Sequence, residues 1–116
     1  MLPRRHRLSL RKDADAIYRE AKRIQGKYFA LIVAKQKEKS NTKIAVVVSR
    51  KVSKLAVERN RLRRRATQAI RLHLDDLENG YNIICMAGKA SPNASFDQLH
   101  ESIVSDLKNA GVVMEK

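Results

Sequence analysis

The sequence predicts an α+β fold, a two-layer α/β sandwich with helices packed on a sheet. Three observations carry that prediction. Residues 27–35, 43–50 and 81–87 form short runs that are too uniformly apolar for strands with one wet face, and they suit strands buried on both sides. Apolar residues recur at helical spacing in segments near 10–23, 54–77 and 95–110. The resulting order of helix, strands, helix, strand and helix stacks helices against a sheet. At 116 residues, with 43% hydrophobic residues, only two prolines and four glycines, the chain is expected to form one domain over residues 1–116. It contains no internal repeat and no linker-like stretch.

The first helix, over residues 10–23, rests on Leu10, Ala14, Ile17, Tyr18 and Ala21, with charges on the opposite face. Gly26 breaks it. "KYFALIVAK" follows, rich in β-formers, and reads as a central strand. The polar "QKEKSNT" reads as a hairpin connection to its partner "KIAVVVSR". The helix over 54–77 is expected to end at "ENG", with Gly80 in the left-handed capping position. "YNIICMA" is the third strand, and "GKASPNAS" the loop after it. Ser95 and Gln98 stand at capping-box spacing. Phe96, Leu99, Ile103 and Leu107 then share one helix face before Gly111 stops it.

The formal charge of +13 is far from ordinary, and phosphates are the usual partner of such a surface. The charge is also uneven. Residues 1–72 carry 22 Lys/Arg against 5 Asp/Glu, whereas residues 73–116 carry 3 against 7. One basic region therefore dominates, which points to nucleic acid. The lone cysteine, Cys85, excludes an internal disulfide and lies in an apolar run, as a buried small hydrophobe would. The basic start "MLPRRHRLSLRKDADA" lacks an apolar core of signal-peptide length. No run approaches the roughly 18 apolar residues of a membrane span, so a cytoplasmic location is expected.

The basic region centres on "VERNRLRRRATQAIRLHL". At about 100° per residue, Leu62, Ala66, Ala69, Ile70, His73 and Leu77 gather on one side, which should pack on the sheet. Asn60, Arg61, Arg64, Arg65 and Arg71 fall on the other, while Arg59 and Arg63 flank the apolar stripe. A solvated helix held by ion pairs would need acids at i,i+4, yet Glu58 is the only one between Arg50 and Arg71. Such pairing is worth only about 0.2–0.5 kcal/mol, and like charges one turn apart cost a similar amount. A membrane-surface helix would carry bulky apolar residues where this one has Ala66 and Ala69. Arginine, with its planar fork, suits phosphate and unpaired bases.

Nothing in the sequence assembles an acid–base set for cutting RNA. His6, His73 and His100 are far apart, and His73 falls on the apolar face, where it should pack. Asp75 and Asp76 read as solvated, and no phosphate-cradling glycine loop or cysteine–histidine cluster is present.

"SRKVSKLAVERNRLRRR" (residues 49–65) resembles the signature of the bacterial ribonuclease P protein family. Its centre is Arg59-Asn60-Arg61, set between an apolar strand and the helix it opens. The opening "LPRRHRLSLRKDADAIYREAKRIQGKYFALIV", the strand "KIAVVVSRKV" and the later "GYNIICMAGKAS" extend the likeness over nearly the whole chain. The resemblance implies an α-β-β-β-α-β-α order with a left-handed β-α-β crossover, against the general handedness rule. It implies a partnership with a catalytic RNA that removes the 5′ leader of precursor tRNA using Mg²⁺ held in the RNA-based holoenzyme rather than at a dedicated protein site. By position, it implies binding of the catalytic RNA by Arg50, Lys51, Lys54, Arg59, Asn60, Arg61, Arg64 and Arg65. It further implies a leader cleft between sheet and helix, with Arg7, Arg11, Tyr18, Phe29, Leu31 and Val33. Ala14 replaces an aromatic frequent in the family, and Ser53 a frequent glycine.

The expected function is therefore an accessory subunit of a ribonucleoprotein endonuclease, inactive alone, with the catalytic RNA and precursor tRNA as partners. A ribosomal-type rRNA-binding protein is the alternative that composition and charge also fit. A free-standing nuclease is disfavoured by the missing acid–base set. Engagement of about five phosphates predicts an affinity falling with log salt at a slope of roughly −4.

Overall fold

The computed structural model describes residues 2–9, 17, 19, 21–37 and 39–114. Its sheet has four strands: β1 (Lys22–Gln25), β2 (Phe29–Lys35), β3 (Lys43–Val47) and β4 (Tyr81–Ala87). The order across the sheet is β1-β2-β4-β3. β2 pairs antiparallel with both β1 and β4, and β3 pairs parallel with β4. Two long helices follow β3 and β4: the arginine helix (Ala56–Arg71) and the C-terminal helix (Phe96–Asn109).

Three expectations are corrected here. The helix expected over 10–23 does not reach its predicted end, because Lys22–Gln25 is strand β1; of its earlier part, Ile17 and Arg19 are helical, Ala21 is not, and the rest lies outside the described residues. Residues 36–42 are not a hairpin, since β4 stands between β2 and β3. The physical reason is burial. Ile83, Ile84 and Cys85 are all fully buried, so β4 needs a neighbour on each edge and apolar cover on each face. β3, expected to be buried on both faces, is instead an edge strand and mostly half-buried. The link is organised by Gln36, whose amide donates to Tyr81 O at 2.9 Å and whose Oε1 accepts from the Ser40 amide at 2.9 Å.

The arginine helix buries Leu62, Ala66, Ala69 and Ile70, the stripe read from the sequence, but stops at Arg71. A short 3₁₀ turn, Leu74–Asp76, then swings Leu74 and Leu77 into the core. Gly80 does adopt positive φ (96°), serving the turn into β4 rather than a helix cap. The C-terminal helix has the predicted capping box: Gln98 N donates to Ser95 Oγ at 3.2 Å, and Ser95 N to Gln98 Oε1 at 2.9 Å. Leu99, Ile103 and Leu107 are buried, and Gly111 takes φ 75° just past the end.

Both helices cover one sheet face, over Phe29, Leu31, Val33, Ile44, Ile83 and Cys85. The other face carries Ile32, Ala34 and Ile84 with Leu8 and Ile17, and half-buried Ala45 and Val47 beside them. Gly26 sits where β1 turns to β2, and a Cβ there would overlap the Asp106 carboxylate of the C-terminal helix. Only glycine permits that approach.

Candidate nucleic-acid interface

β3 leads through the turn at Ser49–Val52 (Val52 N to Ser49 O, 3.1 Å) into the arginine helix. Arg50, Lys51 and Lys54 are exposed on this entry loop. Ser53 closes it: its Oγ accepts from Leu55 N at 3.2 Å, and its carbonyl accepts from Arg59 Nη1 at 2.9 Å. Arg59 is thus half-buried and pins the loop. Leu55 and Val57 project beside it, 65% and 70% exposed.

Beyond the loop, Arg61, Arg63 and Arg64 are exposed and Arg65 half-buried. Among the described residues the only side-chain ion pair is His73–Asp76, at 3.5 Å. Among the described residues no acid, Glu58 included, pairs with any of these arginines. A helix face stabilised by internal salt bridges is therefore not what this sequence builds. Its guanidinium forks are left for an external anion.

The N-terminal segment supplies a second wall. His6 Nδ1 meets Thr42 O at 2.8 Å, Leu8 N donates to Ile44 O at 3.1 Å, and Arg7 bridges to Ile44 in parallel register. This strap covers the free edge of β3, an edge that proteins otherwise leave open to misassociation. Arg7 Nε donates to Leu2 O at 2.8 Å. Between strap and helix lies a groove of about 750 Å³, where Arg7 meets Asn60, Arg63 and Arg64 over Leu2 and Val46. Asn60 Oδ1 accepts from Arg63 Nη1 at 2.8 Å.

The structure thus brings Arg7, assigned to the leader cleft by resemblance, to Asn60 and Arg64, assigned to the catalytic RNA. It separates Phe29, Leu31 and Val33 from any open cleft. They are 0%, 1% and 8% exposed and lie in the core beneath the two helices. Strand alternation explains this correction, since residues two apart share a face and that face is the one the helices cover. Arg11 and Tyr18 lie outside the described residues. Sequence reading missed Arg63, Thr67 and Gln68 as groove residues. Their signal was position: with Asn60 and Arg64 they fall on one flank of the helix, but only the strap makes that flank a wall.

Remaining chemistry is sparse. Cys85 is fully buried, and burial, with a smaller contribution from the Asp106 carboxylate, pushes its thiol well above the usual range. Asp106 is buried at 4% exposure, its Oδ2 has no hydrogen-bond partner, and burial pushes its carboxyl up to about 6. His73 Nε2 meets His100 Nε2 at 2.8 Å, joining the end of the arginine helix to the C-terminal helix, with Phe96 stacked on His100. Among the described residues no three His, Cys, Asp or Glu side chains converge as a metal site.

Residues 2–111 match the family model described as Ribonuclease P. The chain belongs to the ribonuclease P protein family. It is 33% identical over 113 residues to a ribonuclease P protein component from Pseudanabaena sp. (strain PCC 6903), covering 97% of each chain. A ribonuclease P protein component from Clostridioides difficile (strain 630) is also 33% identical, over 89% of this chain and 91% of that one. Among solved structures, the RNase P protein from Thermotoga maritima superposes with a TM-score of 0.81 at 27% identity, covering 97% of this chain and all of that one. A Staphylococcus aureus RNase P protein shares the fold with a TM-score of 0.85 at 23% identity, over 94% and 98% of the two chains. The α+β order read from the sequence is that of the family. The β3–arginine helix–β4 crossover joins neighbouring parallel strands, as the resemblance implied.

Proposed function

We infer that this chain is the protein subunit of the ribonuclease P ribonucleoprotein, the accessory component of the enzyme that matures the 5′ end of tRNA. The observation that carries this reading is a helix whose arginines have no acidic partner among the described residues, set on a family fold and carrying Arg59-Asn60-Arg61 near its start. The catalytic RNA docks on the entry loop and the wet side of this helix, through Arg50, Lys51, Lys54, Arg61, Arg64 and Arg65. Arg59 holds the loop in shape. Neutralising phosphates there lowers the repulsion between catalytic RNA and substrate, and so strengthens substrate and Mg²⁺ binding.

We further propose that the chain binds precursor tRNA, with the single-stranded leader on the sheet face that carries Ala45 and Val47, beside Ile17. On that face Ala45, Val47 and Met86 are half-buried. Mg²⁺ supplies Lewis-acid activation within the RNA-based holoenzyme. The donor set of this chain offers it no converging carboxylates among the described residues. No helix among these residues is long and apolar enough to cross a membrane, and a cytoplasmic location is part of the proposal.

The test is cleavage of a precursor tRNA by the cognate catalytic RNA at low Mg²⁺, with and without the protein. Strong stimulation supports the reading. Tight, salt-sensitive RNA binding without stimulation would turn the assignment to a structural rRNA-binding role. Cleavage by the protein alone would refute it.

A further inference from the structure

A groove lies between the N-terminal strap, the edge strand β3 and the arginine helix. Its floor is apolar, made by Leu2 (6% exposed) and half-buried Val46. Among the described residues no carboxylate lines it, while three guanidiniums do. A purely electrostatic docking surface has no need of an apolar floor, and a core has no need of three arginines around it. The combination fits a ligand with a flat apolar face, a polar edge and an attached anion. An unpaired nucleotide has all three.

We propose that this groove receives one unpaired nucleotide of the bound RNA, its base laid on Leu2 and Val46 and its phosphate held by Arg63 and Arg64. The proposal rests on the RNA-binding reading above and deepens it, adding base insertion to phosphate contact. A volume of about 750 Å³ lies in the range of pockets that enclose small organic ligands. Unpaired bases are recognised by stacking on aromatic rings or on guanidinium planes. Among the described residues no aromatic lines this groove, and the stacking partner is arginine. Arg7 is suited to it because its Nε–H···O bond to Leu2 holds the fork beside the floor.

The edge of the base faces the helix. Asn60, Arg64 and Gln68 are spaced four residues apart and form one row along the groove. Asn60 Oδ1 is occupied by Arg63, while its amide NH₂ has no hydrogen bond among the described residues. The Gln68 amide likewise has none. Two amides and the Thr67 hydroxyl are therefore available to a base edge. The nucleotide belongs either to the catalytic RNA or to the leader of the precursor, because the groove unites residues that the family resemblance divides between those two partners.

Thr67→Phe fills the groove without altering charge. Affinity would be measured by fluorescence anisotropy over a salt series, first for the catalytic RNA, then for precursor and mature tRNA with the reconstituted holoenzyme. The expected result is a loss of about tenfold, the scale of one lost stacked base, with the salt slope unchanged. Loss on the catalytic RNA places the nucleotide there; loss confined to leader-bearing tRNA places it in the leader. If Thr67→Phe lowers the melting temperature, Gln68→Trp, at an exposed position, blocks the groove from its solvent side and is read in the same way. Wild-type affinity for all three RNAs in a folded groove-blocking variant overturns the proposal, while a reduced slope in Arg61→Ala leaves the RNA-binding reading standing. A wild-type protein with no salt-dependent affinity for the catalytic RNA overturns both.

Discussion

Asp106→Asn should make this protein more stable at neutral pH. The Asp106 carboxyl lies against the Cα of Gly26, its Oδ2 makes no hydrogen bond, and desolvation raises its titration from 3.8 to about 6. Each unit corresponds to about 1.4 kcal/mol, so full expression of the shift amounts to about 3 kcal/mol. Asp106 also borders a shallow groove with Lys27 and Ser102, where water screens the charge, and about 1–3 kcal/mol is the expected range. The sign follows from linkage. Between pH 4 and 6 the folded state holds the proton more tightly than the unfolded chain, so stability is greatest below the unfolded value and falls as pH rises through the folded one. Above about 6 the penalty is complete and constant. Asparagine keeps the shape and cannot ionise. Urea unfolding followed by circular dichroism at several pH values should show the variant ahead at pH 7 and level with wild type at pH 4. Parallel pH profiles for the two proteins, or a less stable variant at pH 7, would refute the account and mean that the carboxylate is paired in solution.

Three further outcomes follow from the same contacts. Gly26→Ala drives a methyl into the Asp106 carboxylate and should cost about 1–3 kcal/mol, as overpacking does; the double variant with Asp106→Ala should recover most of it in the same denaturation assay. Arg61→Ala and Arg65→Ala should each lower the salt slope of catalytic-RNA binding by about 0.7–0.9, one phosphate contact, with an unchanged melting temperature; an unchanged slope would mean that these side chains touch no phosphate. Phe29→Ala should lose about 3–5 kcal/mol of stability as a core truncation. It should not discriminate leader-bearing from mature tRNA at temperatures where the variant is folded, and a selective loss would return Phe29 to the leader cleft.

The sequence by itself determined the parts whose signals are local. Helix periodicity marked Leu62, Ala66, Ala69 and Ile70 as the packed face, and all four are buried. Ser95 and Gln98 marked a helix start that forms as read, because a capping box needs only four consecutive residues. The scarcity of acids near Arg59–Arg71 already implied arginines without acidic partners, and among the described residues the structure leaves them so. Tertiary structure decided what depends on which elements meet. "KRIQ" becomes a strand only because β2 offers it an edge, a preference that outweighs the helical spacing running into it. The β2–β3 hairpin gave way because "YNIICMA", apolar on both sides, lowers its free energy most by taking the centre of the sheet. The face of β2 that opens or closes followed from where the helices landed, which moved Phe29, Leu31 and Val33 from cleft to core. The groove itself could not be read from any segment. It exists because residues 2–8 are lashed to the edge of β3 opposite a helix more than fifty positions away, and burial and concavity are properties of that meeting rather than of either strand of sequence.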